Sequence, residues 1–179
     1  MGADCGISAF IARQWLSVLE ASYRVVRLQP YHRNFGKRLV KTPKLYFLDV
    51  GLMAWLLSIR DATSIETHAA RGARFETCVV SEFIKQRYNR GEPNDLFFWR
   101  DSSCNEIDIV YDTANGLQTI EIKSGTTFAS DLPYALLKWR TMTGAAQPQA
   151  PTPMIAFGGD GGYARQGCEM LGWRELWTR

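Results

Sequence analysis

The chain has 179 residues, of which 46% are hydrophobic and 22% charged, and its formal net charge is +3. This is the composition of an ordinary globular protein of one or two domains, and it excludes a disordered or fibrous chain. The mildly basic balance permits contact with nucleic acid but is too small to indicate it alone.

Features of an exported or membrane-spanning protein are absent from the sequence. The longest apolar stretches, near residues 52–57 and 132–137, are far shorter than the roughly 20 residues of a membrane helix. The first residues lack the basic start and cleavage pattern of a signal peptide. The four cysteines are scattered, with no C-x-x-C pair, which favours reduced thiols. We therefore expect a cytoplasmic protein with no membrane partner.

The first 60 residues are predicted to form a helix, a hairpin and a short connecting helix. Ser8 is a suitable cap for a helix to about residue 21, whose apolar residues are spaced for one buried face. Two β-like runs follow at residues 24–29 and 44–48, and an apolar helix spans about 51–59. A helix followed by a hairpin with a long loop is how a winged helix ends. Residues 1–60 are accordingly assigned to a partial winged-helix module with a connector helix.

The loop between these two strands is basic. From Tyr31 to Lys44 it contains no acid, and aromatic residues are interleaved with its bases. This pattern is typical of a phosphate-contacting wing, whereas the alternative is a solvated loop whose charges only maintain solubility. The predicted nucleic-acid contacts are Arg33, Lys37, Arg38, Lys41 and Lys44.

Residues 61–179 are predicted to form an α/β domain. A helix over about 71–89 is stopped by the turn-forming residues 91–95. Three β runs at 96–100, 106–111 and 117–123 have short turn-rich links, which predicts an antiparallel meander. A helix over 132–143 precedes a strand at 154–157, whose return after a helical crossover predicts parallel addition. The expected fold is a mixed β-sheet flanked by helices.

Several charged residues of this domain are predicted to face the interior. Helical spacing places Glu76 in the middle of an apolar arc formed by residues such as Val79 and Phe83. Arg87 also falls in this arc, but it lies near the helix end, where its side chain is expected to extend into water. Alternation along the strands separates Asp108 from Ile107, Ile109 and Tyr111, and it puts Glu121 and Lys123 on one face. Burying an unpaired charge is costly, so these acids need a cation, a metal ion or a hydrogen-bond donor.

Two interpretations of these charges remain open. In the first they form a buried salt-bridge network, in which Lys123 and Arg100 neutralise Glu76, Asp108 and Glu121. Simple hairpin register places Arg100 opposite Glu106. In the second, an Asp on one strand, a Glu-x-Lys on the next and an inward Glu on the preceding helix form a metal site, because hard oxygen ligands suit Mg²⁺.

Glu76, Asp108 and Glu121-Ile122-Lys123 resemble the site of the PD-(D/E)xK nuclease superfamily, with Ile107 in place of the Pro of that name. Longer phrases resemble the C-terminal domain of unknown function, DUF4143 type, that follows an AAA-type ATPase module in many bacterial and archaeal proteins; these are RLVKTPKLYFLDVGL, RFETCVVSEF, FFWRDSSCNEIDIV and IEIKSG. The resemblance implies a restriction-endonuclease-like fold and an upstream ATPase module as partner. Because the chain has no G-x-x-x-x-G-K-[ST] loop, ATP binding is not expected here.

The resemblance also implies roles for the site residues. Asp108 and Glu121 would hold one Mg²⁺ against a scissile phosphate, assisted by the Ile122 carbonyl, and Glu76 would bind a second metal ion or its water shell. Lys123 would position the attacking water, and Arg100 would clamp a phosphate. The implied function is that of a Mg²⁺-dependent DNA nuclease. The alternative is an inactive nuclease-like fold that binds DNA or a protein for the upstream ATPase.

Overall fold

The structure is a computed structural model, and it describes residues 6–31, 42–127, 133–143 and 149–177. The helices are α1 (Ala9–Ala21), α2 (Val50–Leu56), α3 (Ala62–Thr67), α4 (Arg71–Asn89) and α5 (Tyr134–Thr143), with a 3₁₀ turn at Glu175–Trp177. The strands are β1 (Val25–Pro30), β2 (Lys44–Phe47), β3 (Phe97–Arg100), β4 (Glu106–Thr113), β5 (Gly116–Lys123), β6 (Met154–Phe157), β7 (Gly162–Arg165) and β8 (Cys168–Gly172).

The described strands form one mixed sheet in the order β2-β1-β3-β4-β5-β6-β8-β7. Strands β3, β4 and β5 are an antiparallel meander, and β6 adds to β5 in parallel after α5, so both predictions are confirmed. Strand β8 pairs in parallel with β6, and β7 closes this edge antiparallel to β8. The protein therefore has a mixed α/β fold with helices against its sheet.

Both faces of the sheet carry an apolar core. On one face Val80 and Ile84 of α4 belong to a buried cluster with Ile120 of β5. On the other face Leu136 and Trp139 of α5 belong to a second cluster. The central strands are thus buried on both sides, where an unpaired charge is costly.

Local signals explain where the helices begin and end. The Ser8 side chain caps α1 by accepting a hydrogen bond from the Ile11 N–H at 3.2 Å, and Asp49 caps α2 in the same way. Helix α4 is followed by Gly91 at φ +71°, a left-handed conformation that favours glycine. The predicted stop after α4 is therefore confirmed. Among the described residues, we find no helix with the length and apolar character needed to span a membrane.

Helix α1 forms where it was predicted, but none of its residues is buried. Phe10, Trp15 and Val18 are between 60% and 67% exposed. The prediction of a buried face is therefore wrong for the described part of the chain. Helical spacing gathers apolar residues on one side of a helix, but it does not supply an element to cover them.

The β1–β2 hairpin is continuous with the main sheet. Strand β1 pairs with β2 antiparallel and with β3 in parallel, with Gln29 opposite Phe97. The first 60 residues thus contribute two strands to the sheet of the following domain. The division at residue 60 stays a prediction.

Arg87 differs from its predicted position in solvent. Its side chain is only 15% exposed, its guanidinium is ion-paired with Asp95, and it lies 5.1 Å from the centroid of the Tyr111 ring. The loop after α4 carries Asp95 back over the helix end, so an acid and an aromatic ring take the place of water around this base.

Candidate functional site

Two of the acids predicted for the site, Glu76 and Asp108, converge with Glu106 around Lys44, the first residue of β2. Its Nζ lies 2.7 Å from Oε1 of Glu76 and 3.3 Å from Oδ1 of Asp108, and it also forms an ion pair with Glu106. The sequence predicts Lys44 as a nucleic-acid contact, whereas in the structure its ammonium forms ion pairs with three carboxylates. The other predicted nucleic-acid contacts lie outside the described residues; they are Arg33, Lys37, Arg38 and Lys41.

Glu76 reaches the cluster from α4. Its Oε1 accepts hydrogen bonds from Lys44 and, at 2.5 Å, from the hydroxyl of Tyr46 on β2. Burial and the negative charge of Glu76 raise the pKa of Tyr46 far above its ordinary value, so the phenol remains protonated and a donor. Lys44 and Tyr46 are two residues apart on one strand, which places both side chains on the same face.

Asp108 is the buried acid on β4, with 7% of its surface exposed. Its Oδ2 accepts a hydrogen bond from the Ile122 backbone N–H of β5 at 2.8 Å. Burial, and then repulsion by Glu76, raise the pKa of Asp108 to about 6, although Lys44 and the Ile122 N–H oppose the rise. This carboxylate is therefore held between the lysine of β2 and the backbone of β5.

A β-bulge interrupts the pairing of β4 with β3 in the stretch that contains Asp108. Trp99 lies opposite Ile107 and Phe97 lies opposite Val110, so two steps along β3 match three along β4. Ile107 and Val110 consequently pack in the α5 cluster, while Ile109 packs in the α4 cluster. The predicted alternation is confirmed for Ile109, Val110 and Tyr111 and is wrong for Ile107, because an extra residue in a strand interrupts the two-residue period.

Glu121 and Lys123 lie on the neighbouring strand β5. Glu121 is 7% exposed, its Oε1 lies 2.7 Å from Lys123 Nζ, and its buried Oε2 has no hydrogen-bond partner among the described residues. Burial, and then repulsion by Asp108, raise the pKa of Glu121 to about 8. The Lys123 side chain is 44% exposed, so it joins the buried acid to solvent.

Arg100 borders the cluster on its exposed side. It lies opposite Glu106 in the β3–β4 register, as predicted, with its Nε 3.5 Å from Oε2 of Glu106. Its side chain is 41% exposed. A guanidinium in this position is available to a ligand that approaches from solvent.

A cavity of about 350 Å³ lies at the carboxyl ends of the parallel strands. Ser124, Gly158 and Trp173 line it, and each of them directly follows a strand, namely β5, β6 and β8. Gly158 is required there, because a Cβ would lie 2.5 Å from the Ser124 carbonyl oxygen. Arg71 and Arg74 of α4 also line the cavity. Ligands of α/β proteins bind at this end of parallel strands, and Lys123 immediately precedes Ser124.

Comparison with protein families identifies the region that contains the buried acids. Residues 71–174, more than half of the chain, match the model of the domain of unknown function DUF4143. The chain belongs to this family. Residues 1–63 match a second model, the domain of unknown function DUF8612. Glu76, Asp108, Glu121 and Lys123 thus lie in the DUF4143 region, while Lys44 comes from the segment that matches DUF8612.

Two curated proteins that are similar to the chain are named as uncharacterized proteins. One protein of Mycobacterium bovis and one of Mycobacterium tuberculosis are each 32% identical to the chain over 116 residues. The match covers 65% of this chain but only 25% of each relative, so the aligned part is about a quarter of those proteins. No solved structure matches the chain.

The chemistry of Asp108 and Glu121 fits a divalent cation between the two carboxylates. No group of three or more His, Cys, Asp or Glu side chains is placed to hold a metal ion within the described ranges. Mg²⁺, however, is often bound by one or two carboxylates and retains several waters. The two acids are buried, they repel each other, and Glu121 has an unpartnered oxygen. A cation between them relieves each of these costs.

Proposed function

We propose that the DUF4143 region of this protein is a Mg²⁺-dependent nuclease with a restriction-endonuclease-like fold. The observation that carries the proposal is the buried pair of Asp108 and Glu121 on adjacent strands, with Lys123 bound to Glu121. A pair of buried carboxylates beside a solvent-reaching lysine is the arrangement expected of a metal-assisted phosphodiesterase.

Asp108 and Glu121 would hold the metal ion together with the carbonyl of Ile122, and Glu76 belongs to the surrounding acidic shell. When bound, Mg²⁺ polarises the scissile phosphate and lowers the pKa of a bound water. Lys123 would orient that water; this role is supported by its Nζ, which lies 2.7 Å from Glu121, and by its side chain, which is partly exposed to solvent. Its positive charge also stabilises the negative charge that develops on the phosphate.

The proposed substrate is DNA, held through its phosphates. Arg100 supplies an exposed guanidinium beside the acids, and Arg71 and Arg74 supply two more at the cavity next to Ser124. Guanidinium groups bind phosphate in a bidentate manner. Arg33, Lys37, Arg38 and Lys41 are proposed to add phosphate contacts from the segment before β2.

We further propose a cytoplasmic protein in which residues 1–60 are the end of a winged helix and an upstream ATPase module is the partner.

The test is cleavage of plasmid and branched DNA in the presence of Mg²⁺ or Mn²⁺. We expect divalent-dependent cleavage by the wild-type chain and a loss of about 10²-fold or more in Lys123→Ala and Glu121→Ala, as for removal of a group that stabilises transition-state charge. Lys85→Ala is the matched control, because it removes a lysine paired with a glutamate on the surface of α4. Undiminished cleavage by Lys123→Ala would remove this lysine from the mechanism, and absence of cleavage by the wild type would contradict the proposal.

A second candidate is a catalytically inactive nuclease-like fold that binds DNA or a protein for the upstream ATPase. It is favoured by the ion pairs of Lys44, which already provide Glu76, Glu106 and Asp108 with a positive charge. Calorimetric titration with Mn²⁺ separates the two candidates. Equal silence in the wild type and in Glu121→Ala supports the binding module, whereas binding lost in Glu121→Ala supports the nuclease.

A further inference from the structure

The acidic cluster contains a cation of its own, supplied by the N-terminal hairpin. We propose that Lys44 is a built-in counter-ion whose ammonium takes the place of a divalent cation beside Glu76, Glu106 and Asp108. Removal of the lysine then converts this part of the cluster into a divalent-cation site. The inference deepens the proposed function, because it states how many metal ions the site accepts and which residue sets that number.

Three carboxylates surround the ammonium of Lys44, and with the lysine in place no group of acids in the described ranges is arranged to hold a metal ion. Oxygens of Glu76 and Asp108 lie 2.7 and 3.3 Å from Lys44 Nζ, and Glu106 forms a further ion pair with it. These acids come from two elements, α4 and β4, and all three point toward one nitrogen. Oxygen ligands of Mg²⁺ lie about 2.0–2.1 Å from the metal, so the Asp108 carboxylate has to move inward by roughly 1 Å once the ammonium is removed.

The balance of charge around Lys44 requires that a cation remain beside Glu76, Glu106 and Asp108. A single ammonium faces three carboxylates, and its side chain is only 24% exposed. The Phe98 ring, whose centroid lies 5.6 Å from Nζ, adds a favourable contact to the ammonium. Removing one partner of a buried ion pair leaves an uncompensated charge, which is strongly unfavourable. Without Lys44 the three acids must take up protons or bind another cation.

The position of Lys44 in the chain gives this arrangement a consequence. The lysine belongs to the segment that matches DUF8612, whereas the acids belong to the segment that matches DUF4143. The charge of the cluster therefore depends on β2 remaining paired with β1 in the common sheet. A displacement of β2 would remove the Lys44 ammonium from the acids, together with the Tyr46 hydroxyl that donates to Glu76.

The experiment is a calorimetric titration of Mn²⁺ into the full chain, carried out with the wild type, Lys44→Gln and Lys44→Arg. We expect Lys44→Gln to bind one more ion per chain than the wild type, because glutamine keeps much of the side-chain length and removes the charge. Lys44→Arg and the surface control Lys85→Gln should both bind the same number of ions as the wild type. A Lys44→Gln protein with wild-type stoichiometry would overturn the inference.

The result is separable from the proposed nuclease site. If the wild type binds no ion and Lys44→Gln binds one, the inference stands while the metal site at Asp108 and Glu121 fails. If both bind a single ion that is lost in Glu121→Gln, the inference fails while the proposed site stands.

Folding provides a second readout, because Lys44→Gln leaves the buried Asp108 and the half-buried Glu76 and Glu106 without their cation. If this variant is unfolded without metal, circular dichroism is recorded during addition of Mn²⁺. Recovery of the folded spectrum supports the inference. If Mn²⁺ does not restore it, although the double variant Lys44→Gln/Glu76→Gln folds without metal, a divalent ion does not replace the ammonium and the inference is wrong.

Discussion

Asp108 joins Lys44 of β2 to Ile122 of β5 through its two carboxylate oxygens. Oδ1 lies 3.3 Å from Lys44 Nζ, and Oδ2 accepts a hydrogen bond from the Ile122 N–H at 2.8 Å. Ile122 lies between Glu121 and Lys123 in β5. The Asp108 carboxylate therefore connects the acids around Lys44 with the strand that carries Glu121 and Lys123. Its charge acts on both halves of the site.

Substitution of Asp108 by Asn should lower the pKa of Glu121. Burial is the largest cause of the rise of that pKa to about 8, and repulsion by Asp108 is the next. Asn removes the repulsion but leaves the burial, so the pKa should fall and still stay above its ordinary value of 4.5. NMR titration of ¹³C-labelled glutamate carboxyls measures this change, with Glu121→Gln as the assignment. Asp112→Asn changes an exposed residue of β4, the strand that carries Asp108, and it should leave the pKa of Glu121 unchanged.

The stability of the metal-free protein should fall as the pH rises from about 4 to about 8. The pKa is raised in the folded chain from 3.8 to about 6 for Asp108 and from 4.5 to about 8 for Glu121. The folded state therefore binds more protons than the unfolded state in this window, and the free energy of unfolding decreases with pH. Each unit of pKa difference corresponds to about 1.36 kcal/mol.

Urea unfolding at a series of pH values measures this dependence. In the upper half of the window the larger contribution comes from Glu121, so Glu121→Gln should flatten most of the curve between pH about 6 and 8. Asp108→Asn should flatten the curve below pH about 6, and it should also end the fall in stability at a lower pH, because it lowers the pKa of Glu121. A Glu121→Gln curve as steep as that of the wild type in the upper range would contradict the assignment.

The regular part of the fold was predictable because its signals are local. Helix α4 and the meander β3–β5 follow from periodicity and turn residues over a few positions. Helix α3 was missed because it is six residues long, although the Asp61 cap, which accepts from the Ser64 N–H, is a visible signal. Strand β7 was missed for a different reason. All its residues are exposed, so burial imposes no alternation on its sequence.

The site was predictable in composition but not in pairing. Helical and strand spacing indicated that Glu76, Asp108 and Glu121 face inward, because periodicity reports the side on which a residue lies. It does not report the partner. Lys44 meets Glu76 and Asp108 across 32 and 64 residues of chain, and no local pattern encodes such a contact. One signal was available, since Lys44 shares a strand face with the buried Tyr46.

Removal of the Arg87 side chain should destabilise the protein by about 1–3 kcal/mol. The guanidinium is 15% exposed, is paired with Asp95 and lies over Tyr111. Arg87→Ala loses this pair and the ring contact, and it leaves Asp95 with an unpaired charge at the end of α4. Denaturant unfolding measures the loss. Arg174→Ala is the control, because its ion pair with Asp160 is largely exposed, and exposed pairs contribute about 0–1 kcal/mol. Equal effects of the two substitutions would contradict the role of burial.

If the cavity beside Ser124 receives the phosphates of a nucleic acid, Arg74→Ala should weaken binding and reduce its dependence on salt. Each phosphate contact that is lost lowers the slope of log affinity against log salt by about 1. Arg74 is the sharper test, because Arg71 also donates a hydrogen bond to the Ser124 carbonyl at 3.0 Å, so its removal disturbs the loop itself. Fluorescence anisotropy of a labelled oligonucleotide at several salt concentrations gives both the affinity and the slope.

Arg13→Ala on the exposed face of α1 is the control, since it removes the same charge far along the chain from the cavity residues. A slope that falls equally in both variants would mean that only the net charge matters, and a slope unchanged in Arg74→Ala would place the nucleic acid elsewhere.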